Sequence, residues 1–232
     1  LNITLPQGVT QAHFWFAAFN YALSRFANTK DVYTAFISSG RQDLRVTDTV
    51  GMFVNTLPCA VHVKEQTVRE FIQETGEAFY GSLEHENYPF ARIASDYDFK
   101  GCASYAYQMG VMSAYSVNGK EVSRTSMALS KAKIPFSIFV MNVDGVPSVD
   151  AEYDDSQYSR ELALHFTESV VAVAEHFAAS MDARVKDISI MSERQRLEVE
   201  GMHSVNEDMS FPVRTFHEGI ERWAEKTPDA LA

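Results

Sequence analysis

Seven histidines are the chain's candidate proton carriers, and several stand where a helix would present them. His13 falls near the start of a run with helical periodicity, where it is either a base or a core imidazole satisfied by hydrogen bonds. His165 shares a helical face with Glu168 and with His176, a pattern that reads as a solvated polar edge. His85 precedes a Tyr88-Pro89 step at a helix end, where an imidazole interacts favourably with the last carbonyls. A second kind of candidate lies in Val50-Gly51-Met52-Phe53-Val54-Asn55-Thr56-Leu57-Pro58. Asn55 and Thr56 bring hydrogen-bonding groups into an apolar run and need partners if buried. Gly51 permits backbone angles other residues avoid, and Met52, Phe53 and Val54 are expected to be buried, so the stretch reads as a bent core strand.

The sequence holds no GxSxG, HExxH, GxxxxGK[ST] or GxGxxG pattern, which removes the familiar serine-hydrolase, zinc-protease and phosphate-loop signatures. Cys59 and Cys102 stand far apart without a CxxC pair, so neither a metal site nor a disulfide framework is expected. Lys plus Arg number 20 against 31 for Asp plus Glu, a net charge of −11. With no local basic cluster, nucleic acid and anionic membranes are not expected partners. The 46% apolar and 22% charged residues are ordinary for a globular protein. No apolar run approaches a membrane span, and the start lacks the pattern of a signal peptide. The first residue is not Met, so the chain is expected to be cut from something longer, in a reduced cytoplasmic setting.

The elements that position these residues follow from periodicity. Thr10 is the expected N-cap of a helix over 11–27, and its apolar residues on most sides mark it as central. A buried strand over 32–37 closes at Ser38-Ser39-Gly40-Arg41, and the Val50–Pro58 stretch continues as a strand to Val63. Thr67 and Glu70 read as a capping box opening an amphipathic helix that stops before Tyr88. From Cys102 the period becomes two: Tyr105, Tyr107, Met109, Val111, Tyr115 and Val117 line one side of a long strand. Hairpin turns are expected at Asn118-Gly119 and Asp144-Gly145. With strands over 121–129, 134–141 and 146–153 they predict an antiparallel meander. A long helix over 159–181 covers it, followed by an edge strand over 185–190 and a short helix from Ser192. From Glu200 to Arg214 the chain reads as a polar linker, and a last helix spans 215–226. The class is α+β, a two-layer sandwich of helices on a largely antiparallel sheet.

With these residues in place, a resemblance emerges. Val50–Pro58 resembles the fifth core motif of condensation domains of nonribosomal peptide synthetases, a Gly-x-Phe-Val-Asn-Thr run. His85-Glu86-Asn87-Tyr88-Pro89-Phe90 resembles the sixth, and Ser39-Gly40-Arg41 also matches the pattern. Thr215-Phe216-His217-Glu218 through Thr227-Pro228-Asp229-Ala230 resembles the opening of an adenylation domain. Two features depart from the family: Ala60 stands where an Arg is frequent, and the seventh motif is unrecognisable between Ala94 and Tyr107.

The resemblance implies a chloramphenicol acetyltransferase-like lobe. It divides the chain into the C-terminal lobe of a condensation domain (1–198), an interdomain linker (199–214) and the start of an adenylation domain (215–232). It implies attack by an aminoacyl amine on an acyl thioester, both carried on phosphopantetheine arms, with no cofactor bound directly. The expected partners are the N-terminal lobe, the adjoining adenylation domain and peptidyl or aminoacyl carrier proteins. The family's HHxxxDG motif belongs to the N-terminal lobe. Here Phe139 and Val140 stand six and five residues ahead of the glycine of Asp144-Gly145, so that pair is a turn and no catalytic residue is expected in this chain. Gly51, Phe53, Asn55 and Thr56 are the expected tunnel or elbow residues, while Arg41, His85, Pro89 and Phe90 carry the motifs in structural roles. Two rival functions stay open: a non-catalytic carrier-protein docking module, and a free-standing acyltransferase of the chloramphenicol acetyltransferase type.

Overall fold

Thr10 opens α1 (Gln11–Phe26) with a reciprocal cap, its hydroxyl accepting from the His13 amide while the His13 ring accepts from the Thr10 amide. A histidine does here what Glu usually does in a capping box. The helix is enclosed on nearly every side, with Phe14, Trp15, Phe16, Phe19 and Tyr21 at most 1% exposed. Each such burial contributes about 1.5–3 kcal/mol. Asn20 is also buried, but its amide donates to the Phe16 carbonyl at 2.8 Å and accepts from Thr34 at 3.0 Å, so it is satisfied. The computed structural model describes residues 5, 8–97, 103–108, 115–122, 131–143, 146–204 and 215–229, and it divides into two units, 1–192 and 193–232.

In the first unit, α1 leads into β1 (Asp31–Ser38), which pairs antiparallel with β2 (Asn55–His62), Asp31 opposite His62 and Ser38 opposite Asn55. α2 (Val68–Glu84) and α3 (Phe90–Tyr97) follow, then β3 (Ala103–Gln108), the hairpin β4 (Tyr115–Val117) and β5 (Lys120–Val122), β6 (Phe136–Val143), β7 (Val146–Tyr153) and α4 (Arg160–Ala179). Five strands form one sheet in the order β2-β1-β3-β6-β7. The expected meander is not what forms, because β3 runs parallel to both β1 and β6. Alternation assigns each side chain to a face but says nothing of which strand lies alongside. β3 follows a helical connection, the kind of crossover that brings a strand back parallel.

The Asn118-Gly119 turn forms as expected, with φ of +51° and +75°, and joins Tyr115 to Val122 across an antiparallel ladder. Met109 to Ala114 of the long strand, the remainder of the 121–129 strand and the Asp144-Gly145 turn lie outside the described residues. β6 and β7 are antiparallel, with Val143 opposite Val146.

α1, α2 and α4 cover one face of this sheet. Phe16 packs on Phe36, Phe79 and Tyr105 with ring centroids 5.2–5.6 Å apart, and Phe166 meets Phe19 and Phe136 edge to face. The Tyr105 hydroxyl, buried beneath α1, donates to the Ala12 carbonyl at 2.7 Å. The expected edge strand at 185–190 is instead a 3-10 turn, Val185–Asp187. One bridge, Thr67 to Arg184, is all the pairing described there. The Val185 amide donates to the Gln66 carbonyl at 2.9 Å within that bridge, and the chain leaves the extended run where the Asp187 and Ile188 amides donate to the Arg184 and Val185 carbonyls at 3.0 and 3.2 Å.

In the second unit, α5 (Glu193–Ser204) carries Arg196 paired with Glu193 at 2.6 Å and with Glu200. It runs into the span expected to be a linker. α6 (Phe216–Lys226), capped by Thr215, exposes Phe216, Ile220 and Trp223. Among the described residues, no helix is long and apolar enough to cross a membrane.

Candidate functional site

Two turns, one after β1 and one after α2, bring the motif residues together. Arg41 gathers the loop that precedes β2. Its Nη1 donates to the carbonyls of Val46, Thr47 and Thr49 at 2.6, 3.2 and 2.9 Å, and its Nη2 to that of Gly51 at 3.2 Å. The guanidinium carbon lies 4.5 Å from the centroid of the Phe53 ring, a cation–π contact. A planar fork of five donors suits several carbonyls at once. Gly40, at φ +66°, sits so close to Phe53 that a Cβ would lie 1.9 Å from its carbonyl oxygen. The backbone freedom expected of Gly51 is therefore used at Gly40. Gly51 has no positive φ, and its missing side chain leaves room for the Phe53 ring, 3.2 Å from where a Cβ would stand.

The expectation of a buried bent strand fails in its first half. Val50, Met52 and Val54 are 100%, 87% and 51% exposed, and the strand begins only at Asn55. Phe53 alone of the three apolar residues 52–54 turns inward, held by Arg41. From Asn55 onward the side chains are engaged: Nδ2 donates to the Glu86 carbonyl at 2.6 Å, and Oδ1 accepts the Thr56 amide at 2.9 Å. Glu86 also receives the Ser38 hydroxyl on its carboxylate at 2.7 Å. One residue after α2 thus binds the end of β1 to the start of β2. Neither Glu86 nor Ser38 was a candidate from sequence, because their meeting depends on where α2 ends against the sheet.

His85 does not use its ring at the helix end. Its backbone amide donates to the Ser82 carbonyl at 3.2 Å, and the exposed imidazole lines a groove of about 680 Å³ with Pro58, Tyr88 and Tyr97. Pro89 immediately precedes α3, its carbonyl accepting from the Arg92 amide at 3.0 Å, and Phe90 is the first residue of that helix, half-buried.

Between the two motif stretches lies an open cleft of about 720 Å³, lined by Gly40, Gln42, Asp43, Val46, Phe53, Tyr80, Leu83, Glu84, Glu86 and Asn87. Arg45 hydrogen-bonds Asp43 and holds its carboxyl below the ordinary range. Tyr80 is the cleft's hydroxyl, hydrogen-bonded to Thr10 at 3.0 Å and to His13 at 3.3 Å. Sequence periodicity placed it on α2 without marking it, since its partners come from α1.

The remaining candidates separate. His13 is 3% exposed, and burial holds its imidazole below the ordinary value of 6.5. His176 donates Nδ1–H to the Ser189 carbonyl at 2.8 Å, joining α4 to the segment after the 3-10 turn. Burial pushes the Cys59 thiol up to about 12, far from a nucleophile's range. Among the described residues no group of His, Cys, Asp and Glu is arranged to hold a metal. Phe139 and Val140 lie on β6, Val140 buried.

Comparison with known proteins agrees with this geometry. Bacitracin synthase 1 of Bacillus licheniformis is 24% identical over 237 residues, 98% of this chain and 4% of that protein. Tyrocidine synthase 3 of Brevibacillus parabrevis is 26% identical over 93% of this chain and 4% of its own length. The chain therefore spans a small fraction of the curated relatives it matches. The starter condensation domain of rhizomide synthetase RzmA shares the fold, with a TM-score of 0.65 at 17% identity over 78% of this chain and 44% of that one. The condensation domain family model matches residues 2–199, and the chain belongs to the condensation domain family of nonribosomal peptide synthetases.

Proposed function

We propose that this chain is the C-terminal half of a condensation domain and forms one wall of the tunnel in which two carrier-bound thioesters react. The observation that carries this reading is the cleft itself. The fifth- and sixth-motif stretches, far apart in sequence, meet on its rim through the Asn55–Glu86 bond. The solvent-facing Leu44, Val50 and Met52 on the adjoining loop support it, since apolar side chains gathered on one loop mark a surface that another body covers.

In this reading the amine nitrogen of the acceptor attacks the donor's thioester carbonyl. A C–N bond forms, the C–S bond breaks, and the amine's proton ends on the departing thiol. The chain supplies shape and orientation, while the HHxxxDG histidine stands on the preceding lobe. Rate acceleration of this kind needs both reactants held in one preorganised site, so half a site is inactive. Residues 215–232 open the following adenylation domain, and the substrates arrive on phosphopantetheine arms.

The test is reconstitution. Loaded donor and acceptor carrier proteins are incubated with this chain alone, and with this chain joined to the lobe encoded upstream, and the peptide is followed by mass spectrometry. Product is expected only from the joined form. Product from the chain alone overturns the proposal, and so does a joined form that binds carriers but never condenses them.

A further inference from the structure

The hydroxyl of Tyr80 is held in a way that fixes which hydrogen-bonding role it can offer the cleft. Three atoms form a triangle: Thr10 Oγ1 lies 3.1 Å from His13 Nδ1, Tyr80 Oη 3.0 Å from Thr10 Oγ1, and Tyr80 Oη 3.3 Å from His13 Nδ1. The Thr10 backbone N–H also points at His13 Nδ1, at 3.4 Å. A backbone amide only donates, so Nδ1 is an acceptor and the ring's proton sits on Nε2. Two hydroxyl protons therefore serve this triangle.

The amide contact is the longest of the three to Nδ1, and a hydroxyl oxygen 3.1 or 3.3 Å from Nδ1 with no proton between would set two lone pairs against each other. Two arrangements put a hydroxyl proton on Nδ1 and also place one between the two hydroxyl oxygens. In one, Thr10 donates to His13 and Tyr80 donates to Thr10. In the other, Tyr80 donates to His13 and Thr10 donates to Tyr80. In both, the Tyr80 proton is committed inward and a lone pair of its oxygen is left for the cleft. His13 fixes the ring from behind: it is almost fully buried, meets Tyr80 edge-on with centroids 5.6 Å apart, and lies against Gly76, where a Cβ would come within 3.2 Å of its ring.

The rest of the cleft lining matches an acceptor. Among the described residues it contains the carboxylates of Asp43, Glu84 and Glu86 and the amides of Gln42 and Asn87, with no Lys, Arg or His lining it, and Arg45 already holds Asp43 while Ser38 holds Glu86. Such a lining is complementary to N–H groups. Among these acceptors a neutral hydroxyl has a distinct advantage for an amine that must attack. A carboxylate beside the amine favours its protonated, unreactive form, whereas a neutral oxygen orients an N–H and leaves the nitrogen lone pair available.

We propose that Tyr80, positioned by Thr10 and His13, accepts a hydrogen bond from the amine of the acceptor aminoacyl thioester and orients it for attack. This rests on the cleft being part of the reaction tunnel. Tyr80 touches the reacting amine without exchanging a proton with it, and Thr10 and His13 are the positioning residues.

The experiment compares Tyr80→Phe with the unaltered residue in the complete condensation domain, varying donor- and acceptor-loaded carrier proteins separately. Losing one neutral hydrogen bond is expected to lower kcat/KM for the acceptor about fivefold. The donor KM stays unchanged, and the thermal midpoint falls by no more than the few degrees that losing the inward hydrogen bond accounts for. Thr10→Ser, which keeps the hydroxyl network, is expected to behave as the unaltered domain, and Thr10→Val to reproduce part of the Tyr80→Phe loss. Phe53→Ala in the same domain serves as the control for the tunnel reading. If Phe53→Ala impairs condensation while Tyr80→Phe leaves acceptor kinetics unchanged, the assignment of Tyr80 is overturned and the tunnel reading stands. If neither substitution matters, the tunnel reading falls and takes the assignment with it. An equal loss for donor and acceptor together with a larger fall in the thermal midpoint reduces Tyr80 to a structural role and also overturns it.

Discussion

Replacing Arg41 by Lys keeps the charge and removes the fork, and so measures how the loop over 44–53 is held. Four carbonyl oxygens accept from the guanidinium at 2.6–3.2 Å. Most of these contacts are exposed, so the freed oxygens regain water, and each bond is taken near the low end, about 0.5 kcal/mol. The Phe53 ring adds about 0.5–1 kcal/mol. Together they hold the loop closed by roughly 2–3 kcal/mol relative to a local opening. An ammonium on a flexible stem cannot span four carbonyls, so Arg41→Lys is expected to lose roughly half of this and Arg41→Ala nearly all. Native-state hydrogen exchange reads the change directly. The Val46 and Thr49 amides donate within the loop to the carbonyls of Asp43 at 3.0 Å and Val46 at 3.2 Å. Their exchange is expected to quicken about tenfold in Arg41→Lys and about thirtyfold or more in Arg41→Ala. Core amides such as that of Phe19 keep their protection, because the loop contributes no buried residue of its own at Leu44–Val46. Loop amides that quicken less than twofold, or core amides that quicken as much as the loop, refute the reasoning.

Three further outcomes follow from the same geometry. Ser38→Ala and Asn55→Ala, which both act through Glu86, are each expected to destabilise by about 1 kcal/mol and to fall short of additivity by at least 0.5 kcal/mol in a double-mutant cycle of urea midpoints. Burial makes folded His13 harder to protonate than the unfolded chain, so its contribution is complete above pH 6.5 and is lost as pH falls toward its folded value. The slope reaches at most about 1.4 kcal/mol per pH unit, and His13→Asn is expected to be shallower than the unaltered chain between pH 7 and 5.5. In a Cys102→Ser background, Cys59, with its thiol near 12, is expected to resist iodoacetamide at pH 8 until urea unfolds the chain, as read by intact mass.

Local periodicity made the helices legible, since caps and apolar faces are short-range properties. Thr10 and Thr67 each accept from a first-turn amide as their positions imply. The same reasoning misplaced β3, whose direction depends on α2 and α3 carrying the chain across the sheet. It misread 185–190 because Val185 and Ile188 are buried from a 3-10 turn as well as they would be from a strand. It expected Met52 and Val54 to be buried because they are apolar, yet much of a folded protein's surface is apolar.

The candidate site shows a sharper version of this division. Residue types singled out Asn55, Arg41 and Thr10, but the partners that give them meaning are not marked by type: Glu86 after α2 for Asn55, the Gly51 carbonyl of the loop for Arg41, and Tyr80 of α2 for Thr10. The contacts of Glu86 and Tyr80 exist only after α2 has docked on α1 and the sheet. The cleft is therefore a product of the core, even though every residue on its rim is at least partly exposed. A substitution deep in α1 that shifts the α1–α2 contact, at Phe16 against Phe79 or at Tyr21 against Phe71, is expected to loosen the Thr10–Tyr80 bond and the Asn55–Glu86 bond together. Substitutions on the rim loosen them one at a time. The helices set the geometry of the cleft, and Arg41 fixes the loop that borders it.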